Sequence, residues 1–317
     1  MTISKKGMFF TLMTILMMAI MLFIFILPSY SSRTEGMVPI ENKVKAMDLF
    51  LRDVERDIER GLYISSFRSV LAMETAIIND EDFLVDSQAA FNEALMNGTI
   101  ENVEYSVMSA SLFTDWINRI TAQADELNMV LTITVHETGI EHSDPWTLES
   151  YANVTIDFTD HSNLAQWNRT MIVRSHLNIN GFEDPLMIIN SGGRMTSVIN
   201  QSFFVGNVTE LPGNYWNVSK FMIHANDSLY AANPAAPSFL MRFENNMGSS
   251  PYGIEGFINT KVFSDSGLSV NEQASIIDYL YWADMPGTYL INATPSWVKL
   301  DLEHVTYYNL THVATLG

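Results

Sequence analysis

The chain contains no cysteine in its 317 residues. That absence removes disulfides, thiol nucleophiles and cysteine-based zinc sites together. An extracellular domain of this size would have to stand on its core alone, which is unusual for animal secreted domains and more at home on a prokaryotic or archaeal surface. Positive charge is scarce too: 17 Lys and Arg face 36 Asp and Glu, a formal charge of −19. Every acid lies beyond residue 33, whereas Lys5 and Lys6 stand ahead of it, so the body of the chain is more acidic than the total suggests. Such a surface repels phosphate backbones, which excludes nucleic acid as a partner.

Signatures of catalysis are missing as well. There is no G-x-S-x-G, no P-loop, no G-x-G-x-x-G, no His-Glu-x-x-His and no acidic calcium loop. Seven histidines are scattered. His136 and His142 flank a Thr-Gly turn, and Asp157, Asp160 and His161 cluster after an alternating segment, but neither set has metal-ligand spacing. Both read as solvated hairpin residues, and Ser264-Asp265-Ser266-Gly267 reads as a turn. No cofactor, metal or catalytic residue is therefore assigned, and the chain is read as no enzyme. Internal repeats and low-complexity tracts are also absent, and 47% apolar residues exclude disorder.

What is present begins at the N-terminus. Met8 to Leu27 form twenty residues interrupted only by Thr11 and Thr14. As a helix they span roughly 30 Å, the thickness of the hydrocarbon core. The run exceeds the roughly 7–15 apolar residues of a cleavable signal peptide, which favours a retained anchor, although Ser29-Tyr30-Ser31 keeps a cleaved leader open. Lys5 and Lys6 precede the run and Arg33 is the lone close cation after it. The positive-inside rule then gives a cytoplasmic stub over 1–7, a transmembrane helix over 8–28 in a lipid bilayer, and an extracellular bulk. The stub is too short for a signalling domain.

Lys5-Lys6-Gly7-Met8-Phe9-Phe10, followed by this apolar helix, resembles the prepilin (class III) leader of archaeal pilin-like surface proteins. The resemblance implies cleavage between Gly7 and Met8, leaving the helix as the mature N-terminus. Leu12 stands at the fifth mature position, where the better-known bacterial pattern holds a glutamate. The run from Met47 to Ile78 is similar to uncharacterised archaeal membrane-anchored proteins, a similarity that implies no activity.

Pro28, a serine-rich stretch, Gly36 and Pro39 predict a helix-breaking linker over 29–39. Met37, Ile40, Val44, Met47, Leu51, Val54 and Ile58 then recur at alternating spacings of three and four, a heptad seam. Glu41 with Lys45 and Asp48 with Arg52 are i,i+4 pairs in the better orientation. The seam packs on the chain's own helices or pairs with another copy or another surface protein. Gly61 predicts a break, with further helices over 62–78, 82–96 (stopped by Asn97-Gly98) and 107–127. Residues 40–128 thus read as a helical subdomain. From Met129 the period changes to two: Leu131, Ile133 and Val135, then Val154, Ile156 and Phe158, then Met171, Val173, Leu177 and Ile179 alternate with other residues. Later, Ser269 with Glu272 predicts a capping box for a helix bearing Ile276, Ile277, Leu280 and Tyr281. Val298, Leu300 and Leu302 predict a last strand. The fold class is α+β, with a transmembrane helix, a helical subdomain and an antiparallel β-rich extracellular domain over 129–317.

The sequon Asn-x-Ser/Thr occurs at Asn97, Asn153, Asn168, Asn200, Asn207, Asn217, Asn226, Asn292 and Asn309. With 25 asparagines, chance predicts about four such triplets, so the excess points to N-glycans forming a wall over the sheet, set against asparagine and threonine simply being common near turns. Tyr215, Trp216, Tyr252, Tyr281, Trp282 and Trp297 are read as core, with a glycan-binding platform as the alternative. The function expected is a membrane-tethered, glycosylated cell-surface protein of structural or interaction type, pilin-like. The alternatives are a glycan- or peptide-binding module, an accessory subunit of a membrane complex, and an ecto-hydrolase whose residues one sequence cannot reveal.

Overall fold

A computed structural model describes residues 5–161, 165–204 and 206–317, with side chains from residue 10 onward except those of 24–40 and 42. The fold is a mixed α+β arrangement, a helical N-terminal region followed by small antiparallel sheets. Helix α1 runs from Lys5 to Asp80 without a break, about 114 Å at 1.5 Å per residue. Its first described side chains are bare. From Met47 onward it carries the core: Met47, Leu51, Val54, Ile58 and Leu62 are buried at the spacing the heptad pattern predicts. The seam is therefore used inside the chain, with Val44 half-buried and Met37 and Ile40 outside the described side chains. Glu41–Lys45 (2.8 Å) and Asp48–Arg52 (2.9 Å) pair on the exposed side.

Two expected breaks are corrected. The 29–39 linker is helical, because its flanks hold it: an apolar run lies on one side and a packed segment on the other, so propagation replaces costly nucleation. A proline there removes one hydrogen bond and can bend a helix without ending it. Gly61 is likewise inside α1, and its role is close approach. A Cβ at this position would sit 2.9 Å from Cγ of Trp116.

After α1 come α2 (Ser87–Asn97), the hairpin β1–β2 (Thr99–Ile100 and Val103–Glu104) and α3 (Phe113–Glu126). Asp86 caps α2 by accepting from the amide of Ala89, and Gly98 ends it at φ 74°, the stop expected at Asn97-Gly98. The expected helix over 107–127 starts late, since Ser106–Met108 form a 3₁₀ turn. Strands β3 (Met129–Asp144), β4 (Thr147–Asp160) and β5 (Gln166–Asn178) form a meander in the order of the chain, and they cover the three alternating segments of the sequence except Ile179, which follows β5. Even-numbered β4 residues from Ala152 to Phe158 face inward and are buried. Helix α1 lies on β4 and β5: Phe50 meets Phe158 at 5.6 Å, Lys43 binds Asp160 at 2.5 Å and Arg169 reaches Glu55 at 2.5 Å. Helices and sheet share one hydrophobic core running from Met47 to Ile254, so residue 129 marks a change of period inside one packed body.

Beyond Asn178 the chain is less β-rich than the sequence suggests. Short helices α4 (Pro185–Asn190), α5 (Ser219–Asp227), α6 (Phe239–Phe243), α7 (Thr260–Asp265), α8 (Asp278–Trp282) and α9 (Leu302–Tyr307) alternate with the pair β6–β7 (Thr209–Leu211 and Tyr215–Asn217) and the pair β8–β9 (Ala231–Ala232 and Ile254–Glu255). The last sheet sets β10 (Tyr289–Ile291) between β11 (Lys299–Leu300) and β12 (Ala314–Leu316). The Ser269–Glu272 capping box does not form. The backbone that follows bonds across to other segments, with the amides of Ser275 and Ile276 donating to the carbonyls of Met285 and Lys299. Ile276, Ile277 and Tyr281 are buried all the same. The last expected strand stops at Leu300, because Asp301 caps α9 through the amide of His304 and turns Leu302 outward.

The two readings of Gly61 differ in sign. A breaker replaced by alanine would gain about 1 kcal/mol of helix propensity. Overpacking against Trp116 costs about 1–3 kcal/mol. Urea unfolding of Gly61→Ala should therefore show a net loss of stability, and Gly61→Val a larger one.

Candidate functional site

Three features qualify for a functional role: the bare segment of α1, the sequons, and a buried ionic cluster. Along residues 10–23 of α1 every described side chain is exposed, and eleven of them are large and apolar, from Phe10 (74%) to Phe23 (67%). They occupy all sides of the helix rather than one stripe. Among the described residues no helix is long and apolar enough to cross a membrane; the stretch of the run with described side chains is fourteen residues. The side chains of Lys5, Lys6, Gly7 and Met8 lie outside the described set.

Six sequon asparagines are exposed: Asn97, Asn168, Asn200, Asn226, Asn292 and Asn309. Asn153, Asn207 and Asn217 are half-buried. The expected wall over the sheet is corrected by this placement. Only Asn153 and Asn168 belong to the three-stranded sheet, and Asn168 bonds its neighbour Asp157. Of the others, Asn97 ends α2, Asn217 ends β7, Asn226 lies in α5, and Asn200, Asn207, Asn292 and Asn309 lie between elements.

The cluster unites residues far apart in the chain. Arg242, fully buried on α6, donates from Nη1 to Asp184 (2.7 Å) and Asp278 (2.8 Å), and from Nη2 to the carbonyl of Ile254. Tyr230 donates its hydroxyl to the same Asp184 oxygen at 2.8 Å, with its ring 5.7 Å from the guanidinium. The amide of Gly256 donates to Asp278 at 2.8 Å, and a Cβ at Gly256 would crowd Tyr230. Burial raises the Asp278 carboxyl and the nearby Asp184 raises it further, against the lowering by Arg242. One residue along β9, buried Glu255 accepts from Asn233 (2.6 Å), from Tyr308 and from His304 Nε2 (3.2 Å). His304 Nδ1 faces Asp301 at 2.9 Å. Burial opposes charge on this imidazole, but hydrogen bonds to Asp301 and Glu255 outweigh it and lift His304 to about 10.

The cluster is nearly saturated: its donors and acceptors bind one another except Arg242 Nε, which is buried without a partner among the described residues, and it joins α4, α6, α8, α9 and β9. No local spacing in the sequence betrays these residues, which are brought together across 124 positions. A second pair, Ser202 and His224, approaches to 2.6 Å. His224 Nδ1 is buried without a partner among the described residues. The Ser202 hydroxyl also accepts from the amide of Phe204 at 3.2 Å.

The scattered histidines stay apart. His136 bonds Thr155 (2.8 Å) on the outer face of the sheet, and His142 stacks on Tyr252 at 5.7 Å. Among the described residues no group of three or more His, Asp or Glu could hold a metal. The six aromatic residues do not form one platform: Trp216 stacks on His312, Tyr281 and Trp282 pack with Phe263, and Trp297 borders a cleft described below. No known protein family, curated protein or solved structure matches the chain.

Breaking the cluster from one side should be severe. Arg242→Met leaves Asp184 and Asp278 facing each other in the core and should cost about 3–5 kcal/mol by urea unfolding near neutral pH. His304 sets a pH dependence. Its folded form holds a proton to about pH 10, whereas the free imidazole releases it near 6.5. Its contribution is then complete below 6.5 and disappears as pH rises through 10. Unfolding midpoints measured at pH 6 and pH 10 should differ less in His304→Gln than in the unaltered chain.

Proposed function

We propose that this chain is a membrane-tethered, N-glycosylated cell-surface protein of structural or interaction type, pilin-like in plan, with residues 8–28 crossing the bilayer and the body outside the cell. The observation that carries this reading is the bare helix. Hiding a large apolar side chain from water is worth about 1.5–3 kcal/mol, so leaving eleven of them wet would cost on the order of 20 kcal/mol. Because they surround the helix, a single packed partner face would leave the rest exposed, and a lipid environment covers all of them at once.

Orientation follows from Lys5 and Lys6 ahead of the run. The leader resemblance supports cleavage at Gly7/Met8, which would make the apolar helix the mature N-terminus. The six exposed sequon asparagines offer attachment points directed to solvent. The burial of the cluster's charged groups favours action by contact over catalysis. A tether confines those contacts to neighbours at the membrane and raises the effective concentration toward them.

Carbonate extraction of membranes from the native host tests the tether. The chain should stay in the pellet, and Leu16→Arg combined with Met17→Arg should release it, since each arginine at mid-bilayer costs about 2.5–3.5 kcal/mol. Release of the unaltered chain would refute the anchor. Intact mass of the purified protein reads the other two features: loss of residues 1–7 and added hexose-type increments are expected, and an unmodified full-length mass contradicts both.

A further inference from the structure

A concavity lies between α7, residues 270–272 and the β10–β11 edge, with a volume of about 450 Å³. Small-molecule sites fall in the range of roughly 300–1,000 Å³ and combine an apolar surface with a few polar groups. Half-buried Trp297 provides the aromatic surface beside Leu290 and Val270. Around it stand Lys261, Ser264, Asp265, Glu272 and Ser296. Among the described residues none of these five side chains makes a hydrogen bond or ion pair, in contrast to the polar groups of the buried cluster. Lys299, also in the lining, is held by Gln273 at 3.0 Å.

Charge narrows the class of ligand. On a chain with a formal charge of −19, this cleft balances two lysines against two carboxylates. A balanced site draws neither anions nor cations strongly. It does offer both donors and acceptors, at ammonium, carboxylate and hydroxyl, which a ligand rich in hydroxyls can use at once. The indole face, electron-rich at its centre, suits the polarised C–H face of a pyranose ring. The edge strand β11 is already engaged here, its Lys299 carbonyl accepting from the amide of Ile276, which disfavours the addition of a peptide strand.

We infer that the cleft beside Trp297 binds a neutral sugar of one or two rings. The sugar has two sources of the same chemistry: a free or neighbouring-cell glycan, or a glycan on the chain's own sequon at Asn292, which lies five residues before Trp297 and directly after β10.

Saturation-transfer NMR on the full chain in lipid nanodiscs, free of sugar-headed detergent, tests this. The probes are glucose, galactose, mannose, N-acetylglucosamine and their common disaccharides at millimolar concentration. At least one should give transfer, with affinity falling tenfold or more in Trp297→Ala and staying within about threefold in Trp297→Phe. Glu272→Gln, an exposed change that leaves the core untouched, should weaken binding severalfold and keeps the test valid if Trp297→Ala does not fold. Comparison with Asn292→Gln separates the sources: binding that appears only without the Asn292 glycan identifies that glycan as the resident ligand, and equal binding identifies an external one. Absence of transfer from every sugar in both the unaltered chain and Asn292→Gln overturns the inference. So does binding indifferent to Trp297 and Glu272, or a peptide that occupies the cleft in place of sugar.

Discussion

The whole arrangement depends on α1 being one helix with two environments. Its early turns display apolar side chains on every side, and its later turns narrow the exposed surface until most residues of 65–77 are buried, with Phe67 exposed. An interrupted α1 would leave two separate problems: an apolar rod in water and a sheet without a cover. Continuity joins the two, because the segment that buries Phe158 and the β5 face is the same helix that carries the apolar run. The proposed tether would in this way fix the height and direction of the body as well as its attachment.

Farther along the chain, local regularity declines and polar clamping replaces it. Between residues 185 and 316 the helices run five to nine residues and the strands two or three. Pieces this short cannot hold themselves by propensity. Apolar packing around Phe221, Phe257, Ile277 and Leu300 supplies most of the attraction, and the Arg242 and Glu255–His304 groups fix which piece meets which. A buried ion cluster adds little net stability over an apolar substitute, but it penalises wrong arrangements heavily, since any mispairing strands a charge in the core. With no disulfide available, that penalty takes the place of covalent pinning.

Legibility in the sequence follows the range of the forces. Period-two alternation over 131–135, 154–158 and 171–179 reports burial on one face of a strand, and strands cover all three segments except Ile179, which follows β5. The heptad spacing of Met47, Leu51, Val54 and Ile58 reports a buried stripe, and it is buried. Errors arose where distant residues decide. Gly61 looks like a stop until Trp116 is placed against it, Pro28 and Pro39 look like breaks until both flanks are helical, and Ser269 with Glu272 looks like a cap until Met285 and Lys299 claim the neighbouring amides. The buried cluster had no signal at all, because Asp184, Arg242 and Asp278 lie 36 to 94 positions apart and belong to unremarkable local contexts. Sequons were legible as motifs, whereas their scatter over the surface depended on the fold.

The central claim, a single helix joining the apolar run to the packed body, is open to one direct measurement. The chain is free of cysteine, so Phe23→Cys with Lys45→Cys gives two unique sites for spin labels on either side of Pro28, Gly36 and Pro39. In nanodiscs, pulsed dipolar spectroscopy should return a single narrow distance near 33 Å, the rise of twenty-two helical residues, shortened only slightly by proline bends. A broad distribution, or a mean well below 30 Å, would show a flexible joint there and contradict the account.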